Sequence, residues 1–257
     1  MTRRGLGVAA SVVLAAAALA TVADAAECKP PLAATPTVVG LTFCADPRLS
    51  ATITERIRKL REEVRAQRRS GKLIVYASTP ISPRGGGDMT VNIAVAASVK
   101  ARLEKEFGSA VWVLDPGHYQ LPEVDGRPAG GGDYMVMWTE VLGGEDGAGR
   151  DFDMVHFTGP GDMRAFFGCG RDGVSDCVAR HPAAQAITEP ARRQAFVRYY
   201  TLRASAAYST GAHDEWNIVV RINRKRGIGD QVAVFFDGRP ASPAEMETEI
   251  TPGYEAR

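Results

Sequence analysis

Residues Ser209 to Glu215 read S-T-G-A-H-D-E and open an amphipathic helix that the spacing places over Ala212–Arg224. A hydroxyl, a glycine and a carboxylate stand together at its first turn, where backbone N–H groups face outward. Such a turn suits a phosphate or a sugar hydroxyl, with Glu215 close enough to act on it. The same residues also have an ordinary reading. Ser209 or Thr210 makes a good N-cap, and Asp214 and Glu215 favour the positive end of the helix dipole, worth roughly 0.3–1 kcal/mol for one charge.

The elements that must position this turn follow from periodicity. Ile53, Ile57, Leu60 and Val64 repeat at helical spacing after Ser50, until Gly71 stops the helix. Leu73-Ile74-Val75-Tyr76-Ala77 is an apolar run of strand length, as expected for a strand buried on both sides. Ser78-Thr79-Pro80 and the turn-forming Arg84-Gly85-Gly86-Gly87-Asp88 follow it. Val91, Val95, Val99, Leu103 and Phe107 mark a second helix, and Val111-Trp112-Val113-Leu114 a second strand ended by Asp115-Pro116-Gly117. A short helix over Tyr134–Leu142, a strand over Phe152–Phe157 and the turn Thr158-Gly159-Pro160-Gly161 come next. Residues 161–190 have little periodicity and read as an insertion with short helices, ahead of a helix over Arg192–Ala206. Val232–Phe236 makes the last apolar strand, and the acidic, proline-containing stretch from Asp237 reads as an edge element.

Alternation of helix and strand argues for a parallel sheet covered on both faces. The expected fold class is α/β: a Rossmann-like (flavodoxin-like) three-layer sandwich with a mainly parallel sheet, plus a disulfide-bearing insertion. Ligands in such sheets sit beyond the carboxyl ends of the strands, near a switch point. Ser78, Arg84, Asp115, Thr158 and Ser209 then share one rim.

Composition bounds the setting. Arg3 and Arg4 precede the apolar run Val8–Leu19, and Ala23-Asp24-Ala25 is a small-x-small cleavage site, so residues 1–25 read as a signal peptide and the mature chain as starting at Ala26. No later segment approaches the ~20 apolar residues of a membrane helix. The expected location is periplasmic or secreted, with no membrane span after cleavage. Loss of Arg3, Arg4 and Asp24 leaves 29 basic residues of 31 and 29 acidic of 30, a balance that argues against a nucleic-acid partner. Residues 26–49 read as an extended arm and residues 50–257 as a single α/β domain, with 161–190 inserted.

Cys28, Cys44, Cys169 and Cys177 are even in number, which in an oxidising compartment means disulfides. The local pairs Cys28–Cys44 and Cys169–Cys177 each close a short loop containing Pro or Gly. No C-x-x-C occurs, and His118, His156, His181 and His213 are scattered, so no metal site is expected. There is no G-x-S-x-G elbow, nor G-x-G-x-x-G or G-x-x-x-x-G-K-[ST] after the first strand.

Residues 73–236 resemble, in outline, the nucleoside 2-deoxyribosyltransferase-like superfamily, which includes nucleotide N-glycoside hydrolases. Val75-Tyr76-Ala77-Ser78-Thr79-Pro80 resembles its first strand and small-residue turn, Arg84 to Asp88 with Asn92 its approach to the first helix, and Asp153-Met154-Val155 its acidic strand opening. Ser209, Gly211 and Glu215 match its S-x-G-x-x-x-E motif. The connection from Phe157 to Ser209 is far longer than the family's, long enough for a lid over the pocket. The resemblance implies that Glu215 attacks or stabilises the anomeric carbon as an N-glycosidic bond breaks, where the transition state is oxocarbenium-like. It implies a second acid, Asp133 by chain order, with Asp115 competing. Tyr76 resembles the substrate-facing tyrosine. Ser78, Asn92, Ser209 and Gly211 would bind substrate, and Arg84 would add a bidentate phosphate contact. The implied partner is a small nucleotide-like ligand, with no cofactor. A dinucleotide glycohydrolase, a non-catalytic envelope binding protein and an interaction module remain alternatives. Base, sugar, phosphorylation state and oligomeric state are left open.

Overall fold

The computed structural model describes residues 27–170 and 173–256. The expected signal peptide lies outside the described residues. The arm is more ordered than its lack of period suggested. Strands β1 (Ala33–Pro36) and β2 (Thr42–Ala45) pair antiparallel, Ala33 opposite Ala45, and Cys28 is disulfide-bonded to Cys44 in β2. Phe43 and Leu41 carry this hairpin into the main core.

Helix α1 spans Ser50–Arg69 and buries Ile53, Leu60 and Val64. Ser50 is not its cap. Asp46 instead accepts from the Arg48 N–H and starts a 3-10 turn, Pro47–Leu49, that leads straight into the helix. Strand β3 (Leu73–Ser78), helix α2 (Met89–Phe107), strand β4 (Val111–Leu114), helix α3 (Gly131–Gly143) and strand β5 (Met154–Phe157) follow. Four helices, α4 (Pro160–Phe167), α5 (Val174–Arg180), α6 (Pro182–Gln185) and α7 (Pro190–Leu202), separate β5 from α8 (Thr210–Arg226). Strand β6 (Ala233–Phe236), β7 (Arg239–Pro240) and the short α9 (Pro243–Met246) complete the order.

The main sheet has five strands in the order β4-β3-β5-β6-β7. The first three pairings are parallel and β6–β7 is antiparallel. Parallel strands need long crossovers, which the helices supply. β7 instead returns through Asp237-Gly238, both at positive φ (51° and 80°), the two-residue conformation that suits a tight hairpin. Alternation along β3 divides the interior in two. Ile74 and Tyr76 join the core shared with α1, α3 and α8. Val75 and Ala77 join a second core with residues of α2, α4 and α7. The sheet is thus covered on both faces, as the continuous apolar runs require.

Segment 161–190 builds much of that second core. Met163, Phe167, Val178 and Ala184 are buried there, and Cys169–Cys177 closes the turn between α4 and α5. It lies against the sheet as a covering layer. Among the described residues no helix is long and apolar enough to cross a membrane.

Candidate functional site

Pairing register puts one end of the sheet in order. Tyr76 is opposite Leu114, and Ser78 is opposite Phe157, so Asp115 and Thr158 follow directly at the same rim as Ser78. The Ala206 N–H donates to the Thr158 carbonyl, and Ser209 then caps α8, its Oγ accepting from the Ala212 N–H at 3.3 Å. Both turns bring the start of α8 to this rim, beside the point where the chain leaves β3 for β4 on one side and β5 on the other.

Glu215, one turn into α8, points at β3. The Tyr76 hydroxyl donates to its Oε1 at 2.5 Å and the Ser78 hydroxyl donates to its Oε2. Tyr76 and Ser78 lie two apart on one strand and so face the same way, which is what lets one carboxylate take both. Trp138 and Phe152 pack edge-on against the Tyr76 ring, at 5.6 and 6.3 Å between centroids. Glu215 is only 7% exposed. Burial pushes its carboxyl up to about 7, against the lowering pull of the two hydroxyl donors, and the neighbouring Asp214 charge adds to the rise. Burial and the Glu215 charge drive the Tyr76 phenol well above its ordinary range, so it stays a donor.

The other expected residues fall into different places. Asp133 is buried at the start of α3, and both its oxygens are taken by main-chain donors. Asp46 N–H donates to Oδ1 and Gly130 N–H to Oδ2, each at 2.7 Å. It caps a helix and ties it to the hairpin. Asp115 accepts from the Gly117 N–H at 2.8 Å, and burial raises its carboxyl. Its charge adds a little to the rise of the Tyr76 phenol. It lines a cavity of about 460 Å³ with Lys100, Glu104, His118 and Tyr119. Asn92 is buried and fully engaged: its Nδ2 donates to the Ile81 and Ser82 carbonyls, and its Oδ1 accepts from the Tyr200 hydroxyl at 2.7 Å. It holds the loop after β3 onto α2 and α7. The Arg84 guanidinium lies over the Tyr254 ring at 5.4 Å. A side chain at Gly211 would start in ordinary contact with Met135 Sδ at 3.9 Å and the Ser209 hydroxyl at 4.0 Å. Asp153, which opens β5, is at the opposite end of the sheet. Its carboxylate accepts from the Ile74 N–H at 2.8 Å and from Arg68 at 2.7 Å.

Two further acids carry roles that the sequence did not show. Asp214 is buried, and its oxygens accept from the Gly253 and Tyr254 N–H groups at 2.9 and 2.7 Å. Tyr254 itself packs against the main core. The carboxylate of Asp237, in the β6–β7 turn, accepts from the Gly161 and Asp162 N–H groups at 2.9 and 3.0 Å, so the protein fills the start of α4 with its own anion. The S-x-G-x-x-x-E pattern carries no signal for any of these partners. Beyond the rim, Trp216 lines an apolar cavity of about 560 Å³ with Phe157 and Phe236, and donates to the Thr248 carbonyl at 3.1 Å. Among the described residues no cluster of three or more His, Cys, Asp or Glu side chains is arranged to hold a metal ion.

Compared with protein-family models, with curated proteins and with solved structures, the chain matches none. The chemistry open to the site therefore rests on its own geometry. A buried carboxyl with two hydroxyl donors, poised to change protonation near neutrality, can stabilise a developing positive charge or attack a carbon that carries one.

Proposed function

We propose that the protein is an exported N-glycoside hydrolase or transferase acting on a nucleoside, nucleotide or related ribosyl compound. The observation that carries this reading is the Glu215 carboxylate bracketed by the Tyr76 and Ser78 hydroxyls at the carboxyl rim of β3. Glu215 is the nucleophile or charge stabiliser. The two hydroxyls orient it and keep it aimed at one point, and Asp115, one residue past β4 at the same rim, is the candidate acid for the leaving base. Asp133, held by two main-chain donors, acts as a cap in this reading. Strand order β4-β3-β5-β6 supports a Rossmann-like, flavodoxin-like arrangement, in which ligands bind near the switch point. The two disulfides are compatible with an oxidising extracellular environment, and with a periplasmic or secreted location.

A second reading, a non-catalytic envelope protein that binds a nucleotide-like small molecule, is favoured by the closure around Glu215, both of whose oxygens already have protein partners. One experiment separates the two. Nucleosides, nucleoside monophosphates and nicotinamide dinucleotides are screened for release of free base, with wild type beside Glu215→Gln. A catalytic carboxylate gives release by wild type that falls on the order of 100-fold or more in the variant. Binding without release establishes the second reading. Absence of both leaves an interaction module.

A further inference from the structure

The stretch after α9 runs back along α8 toward the rim. Glu249 pairs with Arg221 and Arg224, the Trp216 indole donates to the Thr248 carbonyl, and Asn217 makes a two-way bond with the main chain of Ile250. His213 then meets the Thr251 carbonyl at 2.9 Å, and Asp214 accepts from Gly253 and Tyr254. The chain next leaves the helix, and Ala256 N–H donates to the Thr42 carbonyl in β2 at 2.8 Å.

Tyr254 stands at the crossing. Its ring lies under Arg84, in the loop after β3, and against Gly131, the first residue of α3. Any side chain at Gly131 would collide with that ring, and any side chain at Gly253 would collide with the Thr210 carbonyl at the start of α8. The loop after β3, the segment after β4 and the first turn of α8 therefore converge on one tyrosine. The first of these follows Ser78, the second leads into α3, whose Trp138 packs on the Tyr76 ring, and the third carries Glu215 itself. The contacts that hold the strap are mostly hydrogen bonds, and Tyr254 is only half buried. Local opening of such a segment needs much less energy than global unfolding.

We infer that Thr251–Ala256 is a displaceable strap closing the mouth of the Glu215 site, and that the Tyr254 ring fills the slot into which a planar aromatic ligand group enters. The slot has the chemistry for it: a floor that admits no side chain at Gly131 and a guanidinium above, which stacks on an aromatic face and attracts an anion. The slot's ligand rests on the functional reading above, whereas the closure does not.

The test is chemical access to Glu215. A carbodiimide with glycine ethyl ester, at about pH 6 where the raised carboxyl is largely protonated, is followed by peptide mass spectrometry. Glu62 on the exposed face of α1 is the internal reference. In wild type Glu215 should label far more slowly than Glu62. Removal of Thr251–Arg257 should speed Glu215 labelling by on the order of tenfold or more. Tyr254→Ala keeps the main-chain bonds to Asp214 and provides a second variant should the deletion fail to fold; it should speed labelling in the same sense. Glu215 labelling as fast as Glu62 in wild type, or no faster in a folded variant, overturns the strap. Adenosine monophosphate is the ligand probe. Tighter binding to Tyr254→Ala than to wild type supports the aromatic slot, and equal binding to both overturns it. A Glu215 that opens to the reagent while no nucleoside, nucleotide or dinucleotide binds supports the strap and refutes the N-glycoside reading.

Discussion

At the scale of single residues, the largest departure from expectation is the energetics of Glu215. Read as a surface charge at a helix start, it contributes roughly 0.3–1 kcal/mol. Buried against Tyr76 and Ser78, it becomes a stability term that depends on pH. Its folded carboxyl titrates at about 7, above the ordinary 4.5. Between those values the folded state holds a proton that the unfolded state has released, so stability falls as pH rises through the window. The term is absent below the lower value and complete above the upper one, amounting to about 3 kcal/mol. Glu215→Gln cannot ionise. Urea denaturation of wild type and variant should show the variant gaining about 3 kcal/mol on wild type between about pH 4 and pH 8. A gap that does not change with pH would mean that Glu215 titrates as an exposed carboxylate.

At the scale of elements, helix starts decide what is a site and what is scaffold. α8 places Ala212, Glu215, Val219 and Ile222 at spacings of three, four and three, all buried on one stripe. That period was open to reading in the sequence and would have put Glu215 inside. α3 shows the opposite case, since its acid is spent on main-chain donors. Asp133→Ala leaves the buried Asp46 N–H without an acceptor and should lower stability by roughly 1–3 kcal/mol. A urea titration measures it, and an unchanged midpoint would return Asp133 to the candidate acids.

At the scale of the whole molecule, two short covalent loops pin the outer layers. Cys28–Cys44 holds the hairpin, and Cys169–Cys177 holds the α4–α5 turn over the second sheet face. The separations are 16 and 8 residues. Replacing both cysteines of the first pair by alanine should cost about 3 kcal/mol in denaturant titrations. The second pair should cost about 0.6 kcal/mol less, because loop entropy changes slowly with length. A reversed order would show that packing of the second face, not chain entropy, sets the contribution of Cys169–Cys177.

What the sequence determined by itself is whatever repeats or closes locally. The apolar runs at Leu73–Ala77 and Val111–Leu114 became buried parallel strands, helical periods became α1 and α2, and both local cysteine pairs became disulfides. Period two, period 3.6 and short loops are properties of the chain, so they can be read without a fold. The register that sets Tyr76 and Ser78 on one face is of this kind too. Tertiary structure alone decided the partners. Tyr76 meets Glu215 across 139 residues, and Tyr254 returns 40 residues to Asp214. It alone decided that Asp133 caps a helix, that Asn92 anchors a loop, and that Tyr254 lies between Arg84 and Gly131. An isolated carboxylate, amide or phenol carries no period, and its role depends on which donors the fold brings to it.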